Sequence, residues 1–406
     1  MPWSETDCMN ERVRFIGTYL SGEFSLSELC AQFGVSRKTG YKWVERYEQG
    51  GVAALEDKSR APLTHPQALS ATLVQEILTL RCAHPSWGPR KLRVLLRRRH
   101  PERRLPASSS IGEVLRRNGL TRKRRRIRRS SPHPDKLRQY VGPNSVWCAD
   151  FKGHFPIGDL RCHPLTISDG FSRYLLRCQA LKSTVSRWSR LVFESAFREF
   201  GLPEAIRTDN GPPFSTLAPA GLSRLAIWWI RLGIQPERIL PGRPDQNGRH
   251  ERMHSTLKAE TIRPPRSSFR AQQRAFDAFC LEYNHERPHE ALGLEVPASL
   301  YQSSRRAYPN KLPEPEYPSH FEVRMAYPNG IVSFQGAQWY LAGCLGTELI
   351  GLEDCGNDCW KIYFSWIPLG IVDLRKAKKR GCRNFGVMVR LPQTSNGRRH
   401  RPPYRT

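Results

Sequence analysis

Along the first third of the chain, apolar side chains recur at helical spacing. Residues 10–21 set Val13, Phe15, Ile16 and Leu20 near one face, which predicts a first helix. Ser25-Leu26-Ser27-Glu28 has the form of a capping box and leads into Leu29, Cys30 and Phe33. Gly34 then breaks the helix and Ser36 caps the next, whose opening turns carry Arg37, Lys38, Thr39, Tyr41, Lys42 and Trp43. Residues 57–70, with Pro62 and Pro66, read as a linker. Beyond it Leu73, Val74, Ile77, Leu78 and Leu80 predict a helix over 71–81. Trp87-Gly88-Pro89 then makes a turn that puts Pro89 at the first position of an arginine-dense helix over 90–99. Ser110-Ile111-Gly112-Glu113 reads as a second capping box, opening a helix that ends near Gly119.

From about Pro143 the period shortens to two. Residues 146–151, 164–169 and 173–178 read as strands, the last two joined by a turn at Gly170. A helix over 185–200 closed by Gly201, a strand over 205–208, a helix over 222–232 closed by Gly233 and an extended run over 234–240 follow. Two more helices are predicted, one beginning after Asn247-Gly248 and one over 270–283. Antiparallel strands followed by β-α alternation imply a mixed sheet with helices on its faces. After the Pro-rich residues 313–318 the runs become short and alternating, as in a small barrel or sandwich, with turns at Asn329-Gly330 and Gly356-Asn357. The predicted organisation is therefore a helix-turn-helix domain over 1–60, a second such module with a basic linker over 61–135, an α/β core over 136–306, a small all-β, barrel-like domain over 307–375, and a basic tail over 376–406 expected to be disordered.

Charge gives this architecture a partner. The chain of 406 residues carries 65 Lys and Arg against 37 Asp and Glu, a formal charge of +28, which implies a polyanion. A membrane surface is the rival to nucleic acid, but the apolar run Leu225-Ala226-Ile227-Trp228-Trp229-Ile230 is far too short to span a bilayer. Residues 1–7 lack the features of a signal peptide, which predicts a cytoplasmic protein. The 11 cysteines are scattered and odd in number, consistent with a reducing compartment. Double-stranded DNA is the expected partner. Arg37, Lys38, Thr39, Tyr41 and Lys42 stand where a recognition helix meets bases, Arg90 and Lys91 open the arginine-dense helix, and Arg124, Arg125 and Arg126 belong to an arm over 122–129 suited to phosphates.

Candidate chemistry centres on Pro244-Asp245-Gln246-Asn247-Gly248-Arg249-His250-Glu251, a turn followed by a helix start with a carboxylate in its first turns. Asp150 and Asp209 end two apolar, strand-like runs upstream. A strand-end Asp is ordinarily a turn former, but three acids converging on one sheet edge could hold Mg²⁺ or Mn²⁺ and leave coordination positions open for phosphate oxygens. The same helix holds a different reading. His250-Glu251-Arg252-Met253-His254 matches H-E-x-x-H, the zinc-peptidase pattern, although Arg249 and Arg252 flank it and no third ligand has independent support. A DNA-binding regulator without activity is a further alternative.

Several motifs together resemble the bacterial insertion-sequence transposases that have a DDE-type, retroviral-integrase-like core. Trp147-Cys148-Ala149-Asp150 looks like the first-aspartate motif and Thr208-Asp209-Asn210-Gly211-Pro212-Pro213-Phe214 like the second. The segment around Asn247-Gly248 looks like the one carrying the glutamate, and Tyr283-Asn284-His285-Glu286-Arg287-Pro288-His289 is similar to the segment that closes such cores. The resemblance implies a ribonuclease-H-like fold and cut-and-join chemistry on element ends by a multimer. It also implies two Mg²⁺ or Mn²⁺ ions held by Asp150, Asp209 and Glu251, with Asn210, Gly211, Asn247 and Gly248 shaping the supporting turns; His254 would be only a neighbour. The 41 residues between Asp209 and Glu251 exceed the usual gap. The excess is expected within 215–221, and Glu260 is the alternative third acid.

Overall fold

The computed structural model describes residues 7–59, 68–121, 137–240, 246, 248–375 and 388–390. The chain divides into two compact units, Met1–Ser70 and Ala71–Thr406. In the first, α1 (Cys8–Leu20), α2 (Leu26–Gln32) and α3 (Arg37–Gly50) close around Phe15, Ile16, Leu29, Cys30, Trp43, Val44 and Leu55. Both reciprocal bonds of the Ser25–Glu28 capping box are formed, and the Ser36 hydroxyl accepts from the Thr39 N–H. Gly40 lets α3 approach α2, because a Cβ there would run into the Cys30 sulfur.

The second unit begins with α4 (Ala71–Ala83), α5 (Pro89–Arg99) and α6 (Ser108–Arg117), packed through Leu73, Ile77, Leu80, Leu92, Leu96, Ile111 and Leu115. The predicted Ser110–Glu113 box does not form. The helix starts three residues earlier, with Ala107 at its N-cap, and Glu113 is drawn instead into bonds with Arg116 and Arg117. The arm with Arg124, Arg125 and Arg126, and most of the basic tail, lie outside the described residues.

The central sheet follows the change of period. β1 (Trp147–Phe151) lies between β3 (Leu160–Asp169), antiparallel, and β5 (Ala205–Thr208), parallel; β6 (Gln235–Arg238) extends the parallel side. β3 also pairs with β4 (Leu175–Leu181) and with β2 (Phe155–Ile157), a short strand the sequence pattern did not reveal. One face is covered by α7 (Ser186–Phe200) and α8 (Arg224–Arg231), packed through Phe193, Phe197, Trp228 and Trp229. The other carries α9 (Gly248–Leu257) and α10 (Phe269–Leu281), through Met253, Leu257, Phe276 and Phe279. This is a ribonuclease-H-like core with a mixed sheet. Five-residue π turns prolong α9 and α10 at Lys258–Ile262 and Glu282–Glu286, and a short α11 (Pro297–Leu300) follows. Among the described residues no helix is long and apolar enough to cross a membrane.

The C-terminal part is an open antiparallel sheet of β7 (Glu322–Met325), β10 (Leu349–Asp354), β11 (Cys359–Phe364), β12 (Ile367–Asp373) and β13 (Val389–Arg390), plus a hairpin of β8 (Ile331–Phe334) and β9 (Ala337–Tyr340). It packs directly on the core. Leu222, Ala226, Ile227 and Ile230 share one apolar cluster with Val332, Phe334, Trp339, Ile350, Ile362 and Val372. Ala218 and Ala220, between Asp209 and α8, lie against the same cluster.

Candidate active site

Strand register brings the two aspartates side by side. Cys148 pairs with Arg207 across the parallel β1–β5 ladder, so two residues further on Asp150 and Asp209 fall next to each other at the strand ends and on the same face. These are the carboxyl ends of the parallel β1–β5 pair, the end of an α/β sheet at which ligands commonly bind. Asp209 is half-buried, and its Oδ1 has no hydrogen-bond partner among the described residues. Burial raises its pKa above the ordinary carboxylate value, against the lowering effect of the Gly211 backbone N–H. A Cβ at Gly211 would stand 3.0 Å from Asp209 Oδ2, so this turn leaves little room for a side chain. Asn210 Nδ2 donates to the Ile239 carbonyl at 2.7 Å and ties the turn to the end of β6.

Helix α9 approaches on the sheet face opposite α7 and α8, the face onto which Asp150 and Thr166 point. Gly248 is its first residue, while Asn247 lies outside the described residues. Arg249 anchors the helix start: its Nη1 donates to the Gly170 carbonyl at 2.8 Å, and its guanidinium lies 4.3 Å from the Tyr140 ring centre, with that of Arg207 4.8 Å from the same ring. His250, Met253, His254 and Leu257 face inward, whereas Glu251 is exposed. Thr166, the cross-strand partner of Asp150, meets both histidines: its Oγ1 is 2.6 Å from His250 Nε2 and 2.7 Å from His254 Nε2. The same hydroxyl donates to the Asp150 carbonyl at 3.1 Å. Ser168 Oγ lies 3.2 Å from His250 Nδ1, and His254 Nδ1 is 3.7 Å from Asp150 Oδ2. Burial pushes the pKa of His250 down to about 3 and that of His254 to about 2, so both rings are neutral.

Asp150, His250 and His254 are thus the one trio of potential metal ligands, among the described residues, whose donor atoms lie within 4.8 Å of one another. Asp209 stands beside this trio by register, and Glu251 is not drawn into it. Glu260 is committed elsewhere, bonded to Ser86 and to Arg287 Nη1, the latter at 2.8 Å. The inward histidines have a signal in the sequence: residues one helical turn apart share a face, and Met253 and Leu257 mark that face as buried.

The expected DNA contacts divide. Arg37, Lys38, Tyr41 and Lys42 are exposed on α3, Thr39 is half-exposed, and Lys38, Thr39, Tyr41, Lys42 and Glu45 line a shallow concavity. Arg90 instead reaches Glu290 at 3.4 Å, and Lys91 is half-buried against the core, its pKa pushed down to about 8 by burial and then by Arg287. Lys91 faces protein in this structure, while the Arg90 side chain stays 60% exposed.

Residues 141–244 and 232–297 match the model for an integrase core domain, residues 39–115 that for a homeodomain-like domain, and residues 11–62 that for a helix-turn-helix domain. The insertion element IS476 39.2 kDa protein of Xanthomonas euvesicatoria is 30% identical over 254 residues, covering 62% of this chain and 70% of its own length. The chain belongs to the insertion-element transposases with an integrase core. The IS407 31.7 kDa protein of Burkholderia multivorans is a further relative of this transposase, 26% identical over 242 residues, 59% of this chain and 84% of its own. A solved simian T-cell lymphotropic virus intasome is similar at a TM-score of 0.35 and 17% identity, over 72% of this chain and 96% of that one. The transposase is accordingly an enzyme, a DDE-type polynucleotidyl transferase that binds DNA and works with a divalent metal. H-E-x-x-H here belongs to an integrase core rather than a peptidase, and Thr166 engages the Nε2 atoms of both its histidines.

Proposed function

We propose that Asp150, Asp209 and Glu251 hold two Mg²⁺ or Mn²⁺ ions and that the protein cuts the ends of a mobile DNA element and joins them to target DNA. The observation that carries this reading is the half-buried Asp209 oxygen without a hydrogen-bond partner, beside Asp150 at the strand ends. A buried carboxylate oxygen is costly to leave unpaired, and a cation supplies what it lacks. Glu251 faces solvent one residue from the buried His250. Held by these carboxylates, divalent ions would supply activation of an attacking oxygen and stabilisation of the leaving one. The chain's own part is to fix the carboxylates, through the β1–β5 register, the Gly211 turn and the Arg249 anchor, so that little reorganises on reaction.

In this reading the helix-turn-helix over 1–60 recognises the element ends, and the 61–135 module with its basic arm adds phosphate contacts. The assembly is a homo-multimer on paired ends, working at cytoplasmic DNA. Asp150→Asn, Asp209→Asn and Glu251→Gln should each abolish strand cleavage and joining while DNA affinity stays within about twofold, since affinity comes from the basic N-terminal half. Full cleavage by any of the three removes that residue from the site.

A further inference from the structure

Three residues, each two positions before one of the candidate carboxylates, meet at a single side chain, that of Tyr140. Cys148 on β1 precedes Asp150, Arg207 on β5 precedes Asp209, and Arg249 on α9 precedes Glu251. The Tyr140 hydroxyl accepts from Arg207 Nη1 at 2.6 Å and lies 3.5 Å from Cys148 Sγ, within hydrogen-bond reach of sulfur. Its ring centre is 4.3 Å from the Arg249 guanidinium. Cys148 and Arg207 are themselves the register pair that aligns the two strands. The hydroxyl therefore meets the sheet one same-face step, roughly 6.6 Å along the strands, before the paired aspartates.

Other contacts hold the tyrosine in turn. Arg207 is buried, pairs with Glu237 on β6 at 3.0 Å, and donates to the carbonyl of Arg138, two residues before Tyr140. A Cβ at Gly170 would run into the Tyr140 ring, so the ring lies against the turn after β3 whose carbonyl Arg249 also grips. Two guanidiniums gather at this ring because its π system attracts both and its oxygen accepts from one. An aliphatic side chain offers neither and leaves two like charges near one another. We infer that Tyr140 is a positioning residue for the proposed metal site, setting the two strand-end aspartates against the start of the helix that carries Glu251. The inference rests on those carboxylates holding metal. The ring supplies the tie to α9 and the hydroxyl the tie between β1 and β5, so the two can be removed separately.

The test uses full-length protein with Mn²⁺ alone, then with Mg²⁺ and supercoiled DNA carrying candidate terminal repeats. Tyr140→Phe removes the hydroxyl and keeps the ring; Tyr140→Leu removes both. Mn²⁺ affinity, read by electron paramagnetic resonance titration, should fall about tenfold in Tyr140→Leu and by less, though measurably, in Tyr140→Phe. Cleavage at saturating Mg²⁺ should fall about a hundredfold in Tyr140→Leu, the loss that goes with a displacement of roughly 1 Å, and Tyr140→Phe should recover most of it. DNA affinity should stay within about twofold. Lower resistance to urea with unchanged Mn²⁺ affinity would mark a role in stability alone and overturn the inference. So would wild-type Mn²⁺ affinity and cleavage in Tyr140→Leu while Asp209→Asn has lost both, a result that leaves Asp209 in the site. Wild-type Mn²⁺ binding and cleavage in Asp209→Asn would instead remove the metal site, and the inference with it. Should Tyr140→Leu fail to fold, Tyr140→Phe decides: weakened Mn²⁺ binding supports the inference and unchanged binding overturns it.

Discussion

Replacing Arg287 by Ala should loosen the α4–α6 module from the catalytic core. Arg287 is buried, pairs with Glu260 at 2.8 Å, donates to Ser86 Oγ at 3.3 Å, and lies 5.7 Å from the ring centre of the fully buried Trp87. Removing one member of a buried ion pair costs roughly 3–5 kcal/mol, because the other charge is stranded. Glu260 keeps 21% of its side chain exposed and retains Ser86, so rehydration relieves part of that cost and about 2.5 kcal/mol remains. The contact to Trp87, near the limit of cation–π range, adds roughly 0.5 kcal/mol. Native-state hydrogen exchange reads such local stability directly. Amides of α5 and α6 should exchange faster by about 3 kcal/mol, on the order of a hundredfold, while α7 and β1 change by less than about threefold. Glu260→Ala added to Arg287→Ala should cost much less than in the wild type, since the pair is already broken. Unchanged exchange in α5 and α6 would refute the clamp, and uniform loss throughout the core would show that Arg287 supports the core itself.

Further expectations concern the two ends of the chain and the buried histidines. Arg37→Ala and Lys42→Ala should weaken binding to element ends. A base-reading contact costs roughly 1–3 kcal/mol with relaxed specificity, whereas a phosphate contact weakens all sequences alike and lowers the salt slope, which titrations at several salt concentrations separate. Ile227→Ala, in the cluster shared by α8 and the C-terminal sheet, should destabilise that junction by about 2–4 kcal/mol, seen as earlier proteolysis between the two; unaltered resistance would count against that shared cluster as the joint. His250, His254 and His289 are buried with pKa values pushed far below the ordinary 6.5, so the folded state stays neutral where the unfolded chain takes up protons. Their contribution is complete above pH 6.5 and is lost as pH falls toward 3. The slope is about 1.4 kcal/mol per pH unit for each. Urea unfolding in EDTA at pH 7, 6 and 5 should show it, and stability flat across that range would contradict it.

Much of this was legible in the residues. Ser25 with Glu28, Ser36, Pro89, Gly201 and Gly233 act locally, through caps and turns, and local rules found their helices. Period-two runs found β1, β3, β4 and most C-terminal strands. What the residues did not reveal turns on competition between contacts. Glu113 satisfies the capping pattern, yet two arginines on its own helix outcompete the helix N-terminus for its carboxylate. Lys91 is half-buried while Arg90 beside it stays exposed, a difference that depends on what packs there and that composition does not carry. Trp87-Gly88 and Tyr283–His289 were recognisable separately, and only folding brings Trp87 under Arg287. At the site the acids could be nominated from their positions. Which face of α9 turns inward is set by Met253 and Leu257, and they carry the histidines, not Glu251, toward the sheet.

The most direct measurement incubates purified protein with supercoiled DNA carrying candidate terminal repeats, with Mg²⁺ or with EDTA, and follows nicking and joining at the repeat ends. Cleavage confined to those ends, dependent on Mg²⁺ and absent in Asp209→Asn, is the predicted result. Cleavage that proceeds in EDTA, or equally well in Asp209→Asn, would contradict a metal site built on the two strand-end aspartates.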